Sequence, residues 1–99
     1  MLHIVNKSPL ERSTLDSCLA TAQPGAAVLL IEDGVYAATR GHAVEGKLRA
    51  ASASLEIYVL APDLEARGMA QSLTEGVKPV DYAGFVELVV QHKNCQSWL

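Results

Sequence analysis

No glycine-rich phosphate loop interrupts this chain: it holds neither G-x-G-x-x-G nor a Walker A sequence, and neither G-x-S-x-G nor C-x-x-C. These absences remove the common signatures of nucleotide binding, of the hydrolase nucleophile elbow and of dithiol redox chemistry. Positive charge is scarce as well, eight Lys and Arg against eleven Asp and Glu for a net charge of −3, and the eight are scattered. Strong direct binding to nucleic acid relies on clustered cations that release counterions from phosphate, so it is disfavoured. Only two cysteines occur, Cys18 and Cys95, which indicates no disulfide framework. His3, His42 and His92 are dispersed, and His92 with Cys95 makes one isolated H-x-x-C pair. A structural zinc site wants about four converging ligands, so no metal and no cofactor are expected. No apolar run nears the roughly 18 residues that span a bilayer. Leu2–Val5 follows Met1 without a positive or hydrophobic leader, which predicts a cytoplasmic protein with no signal peptide and no membrane contact.

What is abundant is apolar surface. Hydrophobic residues make up 49% of the 99 positions and charged ones 19%, against about 25% charged in ordinary soluble domains. That length bounds the chain to a single domain, residues 1–99, near the small end of what folds alone. A small sheet hides less apolar surface than this composition supplies, so part of the exterior is expected to be covered by another chain.

The stretch Ala26 to Ala38, AAVLLIEDGVYAA, organises the rest. Ala26–Ile31 is an unbroken apolar run, short enough for a strand, and such a run wants both faces covered, as in the middle of a parallel sheet. Glu32-Asp33-Gly34 stops it where open α/β folds place their crevice. Before it come a strand at Leu2–Val5, a loop through Asn6-Lys7-Ser8-Pro9, and a helix from Ser13, an N-cap with Asp16 three residues on, to about Gln23. Leu15, Leu19 and Ala22 should face the sheet, and Pro24-Gly25 ends the helix. After it, helices are predicted over Val35–Arg40 and Val44–Ala51, the second with a Glu45–Arg49 ion pair. A strand follows at Leu55–Leu60 and a short helix from Ala61-Pro62-Asp63 to Arg67-Gly68. Residues 69–76 remain ambiguous. Val77–Val80 reads as a strand confined to a sheet edge by Pro79, and Asp81 caps a last helix through Phe85, Leu88 and Val89 to near His92. The rhythm predicts an α/β fold, three-layered, with a mostly parallel sheet of four to five strands. The tail holds Trp98 beside Leu99 and is expected to dock, on its own sheet or on a neighbour.

Two places carry possible chemistry. Adjacent Glu32 and Asp33 would point to opposite faces of a strand and cannot act as a general acid/base pair. As structure they make sense: Asp33 can cap a helix starting at Val35, and Gly34 can take a conformation closed to other residues. Read as surface, Glu32, Asp33, Gly34, Val35 and Tyr36 are candidate partner contacts, with Trp98 as a further one. Cys18 is placed at the margin of its helix's apolar stripe, an ordinary site for a half-buried small hydrophobe. A sulfur carrier needs a thiolate, and Cys18 lies too far into the helix for the dipole to favour one. Cys95 has only Lys93 nearby as an activating neighbour.

Several stretches together resemble the DsrH/TusB family of small sulfur-relay subunits. They are MLHIVNKSP at the start, LLIEDGVYAA from Leu29, YVLAPDLEARG from Tyr58, VDYAGFV from Val80 and the ending Ser97-Trp98-Leu99, in the family's order along the whole chain. The resemblance implies a DsrE-like fold related to flavodoxin, in a heterohexamer with two homologous, TusC-like and TusD-like, subunits. Such an assembly takes persulfide sulfur from a TusA-like donor and passes it to a TusE-like acceptor, toward 2-thiolation of tRNA wobble uridine, or serves sulfur oxidation. It also implies a working cysteine just after the third strand of the active subunit. Here the matching stretch, Ala61–Gly68, keeps Ala66-Arg67-Gly68 and has no cysteine. The expected role is therefore an accessory subunit without catalytic activity of its own. The alternative is a persulfide carrier at Cys18, since DsrH-type members have a cysteine in the first helix, within a stretch like Glu11–Leu19.

Overall fold

The computed structural model describes residues 1–9, 13–41 and 44–98. Glu11 and Arg12 of the cysteine-bearing stretch, His42, and Leu99 of the docking tail lie outside the described residues. The elements run β1 (Leu2–Val5), α1 (Thr14–Thr21), β2 (Ala27–Leu30), a 3₁₀ segment (Glu32–Ala38), α2 (Glu45–Ala51), β3 (Glu56–Leu60), α3 (Ala61–Ala66), β4 (Val77–Val80), α4 (Tyr82–Gln91) and β5 (Cys95–Trp98). All strands are parallel, in the order β4-β3-β2-β1-β5.

The apolar run becomes β2, in the middle of the sheet with every residue buried. Val28 and Leu30 point to one face and Ala27 and Leu29 to the other, because side chains alternate along a strand. The first face carries α1, α2 and α3: Leu15, Leu48 and Leu64 pack with Val5, Val28, Leu30, Ile57 and Val59. The second carries α4 alone, whose Leu88 and Phe85 meet Leu2, Leu29, Ile4 and Tyr58. Three steps in one direction put three helices on one face; the long return from β4 to β5 puts the fourth on the other, as right-handed crossovers require. This is the expected α/β three-layer arrangement, with five strands.

Pro79 sits in the edge strand β4, where its missing N–H costs no ladder bond. Asp81 caps α4, its Oδ1 accepting from Gly84 N–H at 2.8 Å. The opposite edge departs from expectation. The tail is a strand, β5, held to β1 by backbone pairing that Cys95-Gln96-Ser97-Trp98 does not advertise by alternation. Trp98 thus docks on its own sheet, packing on the first-face core and donating from Nε1 to His3 Nδ1 at 3.1 Å. Residues 69–76 form turns tied to the 3₁₀ segment by a Thr39–Leu73 bridge and by Thr74 N–H donating to Ala38 O at 2.7 Å.

Local corrections follow from the packing. Helix α1 ends at Thr21, and the Ser13 hydroxyl makes no cap bond. Asp16 instead accepts from Lys47 at 2.7 Å. The turn after β2 is 3₁₀ from Glu32, whereas an α-helix from Val35 was expected. Gly34 has no unusual φ; its requirement is space, since a Cβ there would drive into the Val5 carbonyl oxygen. Gly34→Ala should therefore destabilise the fold by about 1–3 kcal/mol, seen as a lower urea midpoint. Gly46→Ala, in α2 with open space around it, should stabilise the fold by roughly 0.5–1 kcal/mol, seen as a higher urea midpoint. Equal behaviour of the two variants would show that the β1–β2 corner yields freely.

Candidate functional site at the carboxyl ends of the strands

In an open α/β sheet the crevice forms where neighbouring strands send their following helices to opposite faces. Here those strands are β3, which feeds α3 on the first face, and β4, which feeds α4 on the second. The crevice thus belongs between Leu60-Ala61-Pro62 and Val80-Asp81, one strand over from the Glu32–Gly34 position expected from the apolar run alone. Its lips carry no nucleophile: Ala61 and Pro62 open α3, and the Asp81 carboxylate is engaged as a cap.

Beside it, the Glu32–Tyr36 corner is closed by charge. Asp33 does not cap its helix; its Oδ1 accepts from Arg67 Nε at 3.1 Å and Nη2 at 2.9 Å. Arg67 Nη1 also donates to Asp63 O at 3.1 Å, and the guanidinium lies 5.9 Å from the Tyr36 ring centre. The hydrogen bond to Asp33, ahead of the other causes, raises the Arg67 pKa further above its usual value. Among the described non-glycine residues Glu32 alone has a left-handed backbone, φ 50°, and its N–H donates to Asp63 Oδ2 at 2.7 Å. The Asp33 carboxylate is nearly half exposed, so the ion pair contributes about 0–1 kcal/mol and serves mainly to fix the corner's shape. Val35 and Gly34 are buried, which removes them as partner contacts. Glu32, Asp33 and half-buried Tyr36 remain at the surface.

Neither thiol reaches this place. Cys18 is not marginal but wholly enclosed, at 0% exposure, between α1 and the sheet. Three residues after Leu15, it occupies the next turn of the same inward stripe. Burial pushes its thiol up to about 11. Cys95 is exposed on the edge strand, paired with Leu2 at the strands' amino ends. Among the described residues no group of three or more His, Cys, Asp or Glu is placed to hold a metal ion. Likewise, no helix is long and apolar enough to cross a membrane.

A feature that reading the residues did not isolate is the outer side of α4. Tyr82, Val86 and Val90 are 61%, 61% and 78% exposed, and Val89 is also open. At about 100° per residue, Leu88, Phe85, Val89, Tyr82, Val86 and Val90 form one continuous arc of roughly 200°, of which only the Leu88 side is well buried. The signal was present in the spacing of Tyr82, Phe85, Val86, Val89 and Val90; what it lacked was the knowledge that one helix covers this face alone.

These features define an open, all-parallel three-layer α/β domain whose turn out of β3 carries no nucleophile. The fold is shared with the ychN protein of E. coli, at a TM-score of 0.76 and 16% identity over 97% of both chains. MTH1491 of Methanobacterium thermoautotrophicum gives 0.72 and 19%, covering 97% of this chain and 95% of that one. Residues 7–95 match the family model described as DsrH like protein. Protein TusB of Pectobacterium parmentieri is 40% identical over 98 residues, 99% of this chain and 100% of that protein. Protein TusB of Escherichia coli O139:H28 is 35% identical over the same shares. The chain belongs to the DsrH/TusB family.

Cys18 ionises from an ordinary value of 9.0 when unfolded and near 11 when folded, so the native state retains the proton. Its contribution is complete below pH 9.0 and is lost as pH rises from there through about 11. At mildly alkaline pH, DTNB should titrate Cys95 promptly and Cys18 only after denaturant is added. Equal rates for both thiols would show that the α1 core opens readily.

Proposed function

We propose that this chain is an accessory subunit of a cytoplasmic sulfur-relay complex, contributing surface rather than a working thiol. The observation that carries the reading is the turn out of β3, which opens α3 on Ala61 and Pro62 with no cysteine, Cys18 being buried and Cys95 lying on β5. Membership of the DsrH/TusB family supports the relay context. In this reading the chain joins two homologous subunits, TusC-like and TusD-like, in a heterohexamer, and a sister subunit supplies the persulfide-bearing cysteine. Sulfur enters from a TusA-like donor and leaves to a TusE-like acceptor for 2-thiolation of tRNA wobble uridine. The outer arc of α4 packs against a homologous subunit, because an apolar stripe of that width gains stability only when water leaves it. The exposed part of the Glu32-Asp33-Tyr36 corner, beside the crevice, shapes the approach to the sister's site.

The alternative, a persulfide carrier at Cys18 serving sulfur oxidation, requires the thiol to leave a closed core and ionise there. Both requirements are costly: burial disfavours the thiolate, and opening α1 exposes the packed residues around Leu15.

Co-expression with the homologous subunits tests the reading. The double variant Val86→Asp/Val90→Asp, exposed in the free chain and so compatible with folding, should retain at least tenfold less of its partners, a loss of about 1.4 kcal/mol or more. Cellular 2-thiouridine should fall toward the level of a deletion strain, while Cys18→Ser should leave it unchanged. Normal co-purification of the double variant would remove α4 from the interface; loss of thiolation in a well-folded, assembled Cys18→Ser variant would revive the carrier role.

A further inference from the structure

At the end of the sheet away from the crevice, the amino ends of β1, β2 and β5 frame a cavity of about 430 Å³ whose wall includes His3, Gln23, Pro24, Ala26 and Gln96. That volume lies within the roughly 300–1,000 Å³ typical of small-molecule sites, which are mostly apolar with a few convergent polar groups. The polar group that stands out is His3. It sits in a cross-sheet row with Val28, Ile57 and Val77 on one side and Gln96 on the other, and is only 3% exposed. A polar ring at such a position is costly unless its hydrogen bonds are met.

One of them is met. Trp98 Nε1–H donates to His3 Nδ1 at 3.1 Å. Indole is a donor only, so Nδ1 must accept, and the neutral ring carries its hydrogen on Nε2. Burial first, and the nearby amino terminus second, hold the His3 pKa below its ordinary value, which keeps the ring neutral. Among the described residues Nε2 has no partner, and the ring forms part of the cavity wall. The side-chain amides of Gln23 and Gln96 add donors, Met1 brings the amino terminus to the wall, and no carboxylate lines the space. A ligand ammonium would meet a fixed N–H and the amino-terminal cation, and a phosphate dianion would find that single cation against its two charges, whereas a carboxylate matches it one for one.

We propose that this cavity binds a small, mostly apolar molecule ending in a carboxylate, which accepts from His3 Nε2–H and the Gln23 and Gln96 amides while its body lies against Pro24 and Ala26. The site is remote from the strand-end crevice and stands independently of the sulfur-relay reading.

Titration of the purified, ¹⁵N-labelled full chain with sodium phenylacetate, followed by amide NMR, tests it. Saturable shifts at His3, Gly25 and Gln96 are expected, with a dissociation constant on the order of millimolar for so small a probe. 2-Phenylethanol, which lacks the carboxylate, should bind at least tenfold more weakly, and phenethylamine should produce no saturable shift. Gln96→Trp, a change at an exposed position that fills the cavity, should abolish the response while the remaining spectrum stays native. His3→Phe should weaken it at least tenfold where the variant folds. Absence of saturable shifts with phenylacetate, equal affinity for phenylethanol, or an undiminished response in a folded Gln96→Trp variant would overturn the proposal.

Discussion

Strand β2 has water on neither face, and that constraint reaches through the molecule. Burying Val28, Leu29 and Leu30 completely, at roughly 1.5–3 kcal/mol each, requires a layer on both sides and a parallel neighbour on both edges. It also forces the chain to leave abruptly. The exit is so close to β1 that the residue after Asp33 must lack a side chain, because Val5's carbonyl occupies the space a Cβ would take. The turn that results is fastened from the next crossover, by Arg67 on Asp33 and Asp63 on the Glu32 amide. A strand residue's burial thus determines the shape of a surface corner beside the crevice.

The two faces of the sheet are satisfied unequally, and function follows from the inequality. Three helices close the first face around an aliphatic core that takes in Cys18. One helix of ten residues closes the second, and it brings more apolar surface than the sheet beneath it can use. In a free domain such a stripe is an aggregation hazard; in a subunit it is a contact. The same chain has no thiol where its fold puts a crevice. Under the proposed reading that excess surface serves assembly, and membership of the DsrH/TusB family supplies the relay context.

Much of this was legible in the residues. The unbroken run at Ala26–Ile31, the proline in an edge strand, the Asp81 cap and the alternation of strand and helix each rest on local chemistry, and local chemistry prevailed. What was not legible depended on separations the chain does not display. Asp33 and Arg67 are 34 positions apart, so nothing near Asp33 distinguishes a salt-bridge acid from a helix cap. Val35 follows an acidic turn and reads as surface, yet the 3₁₀ winding rolls it into the core. Cys18 lies at the margin of an idealised stripe, yet a small side chain is buried by whatever large ones surround it. Strand β5 has almost no apolar pattern because only backbone pairing and Trp98 hold it. The crevice itself moved by one strand, since a switch point is a property of strand order and no single stretch encodes it.

The central claim, that this subunit lends surface and passes sulfur by way of a sister, is tested most directly by following the atom. The assembled complex is charged with a persulfide donor, and the intact mass of each subunit is read before and after an acceptor is added. A sister subunit should gain the mass of one sulfur and lose it to the acceptor, while this chain shows no transferable sulfur on Cys18 or Cys95. Sulfur that appears on Cys18 and is discharged to the acceptor would contradict the account.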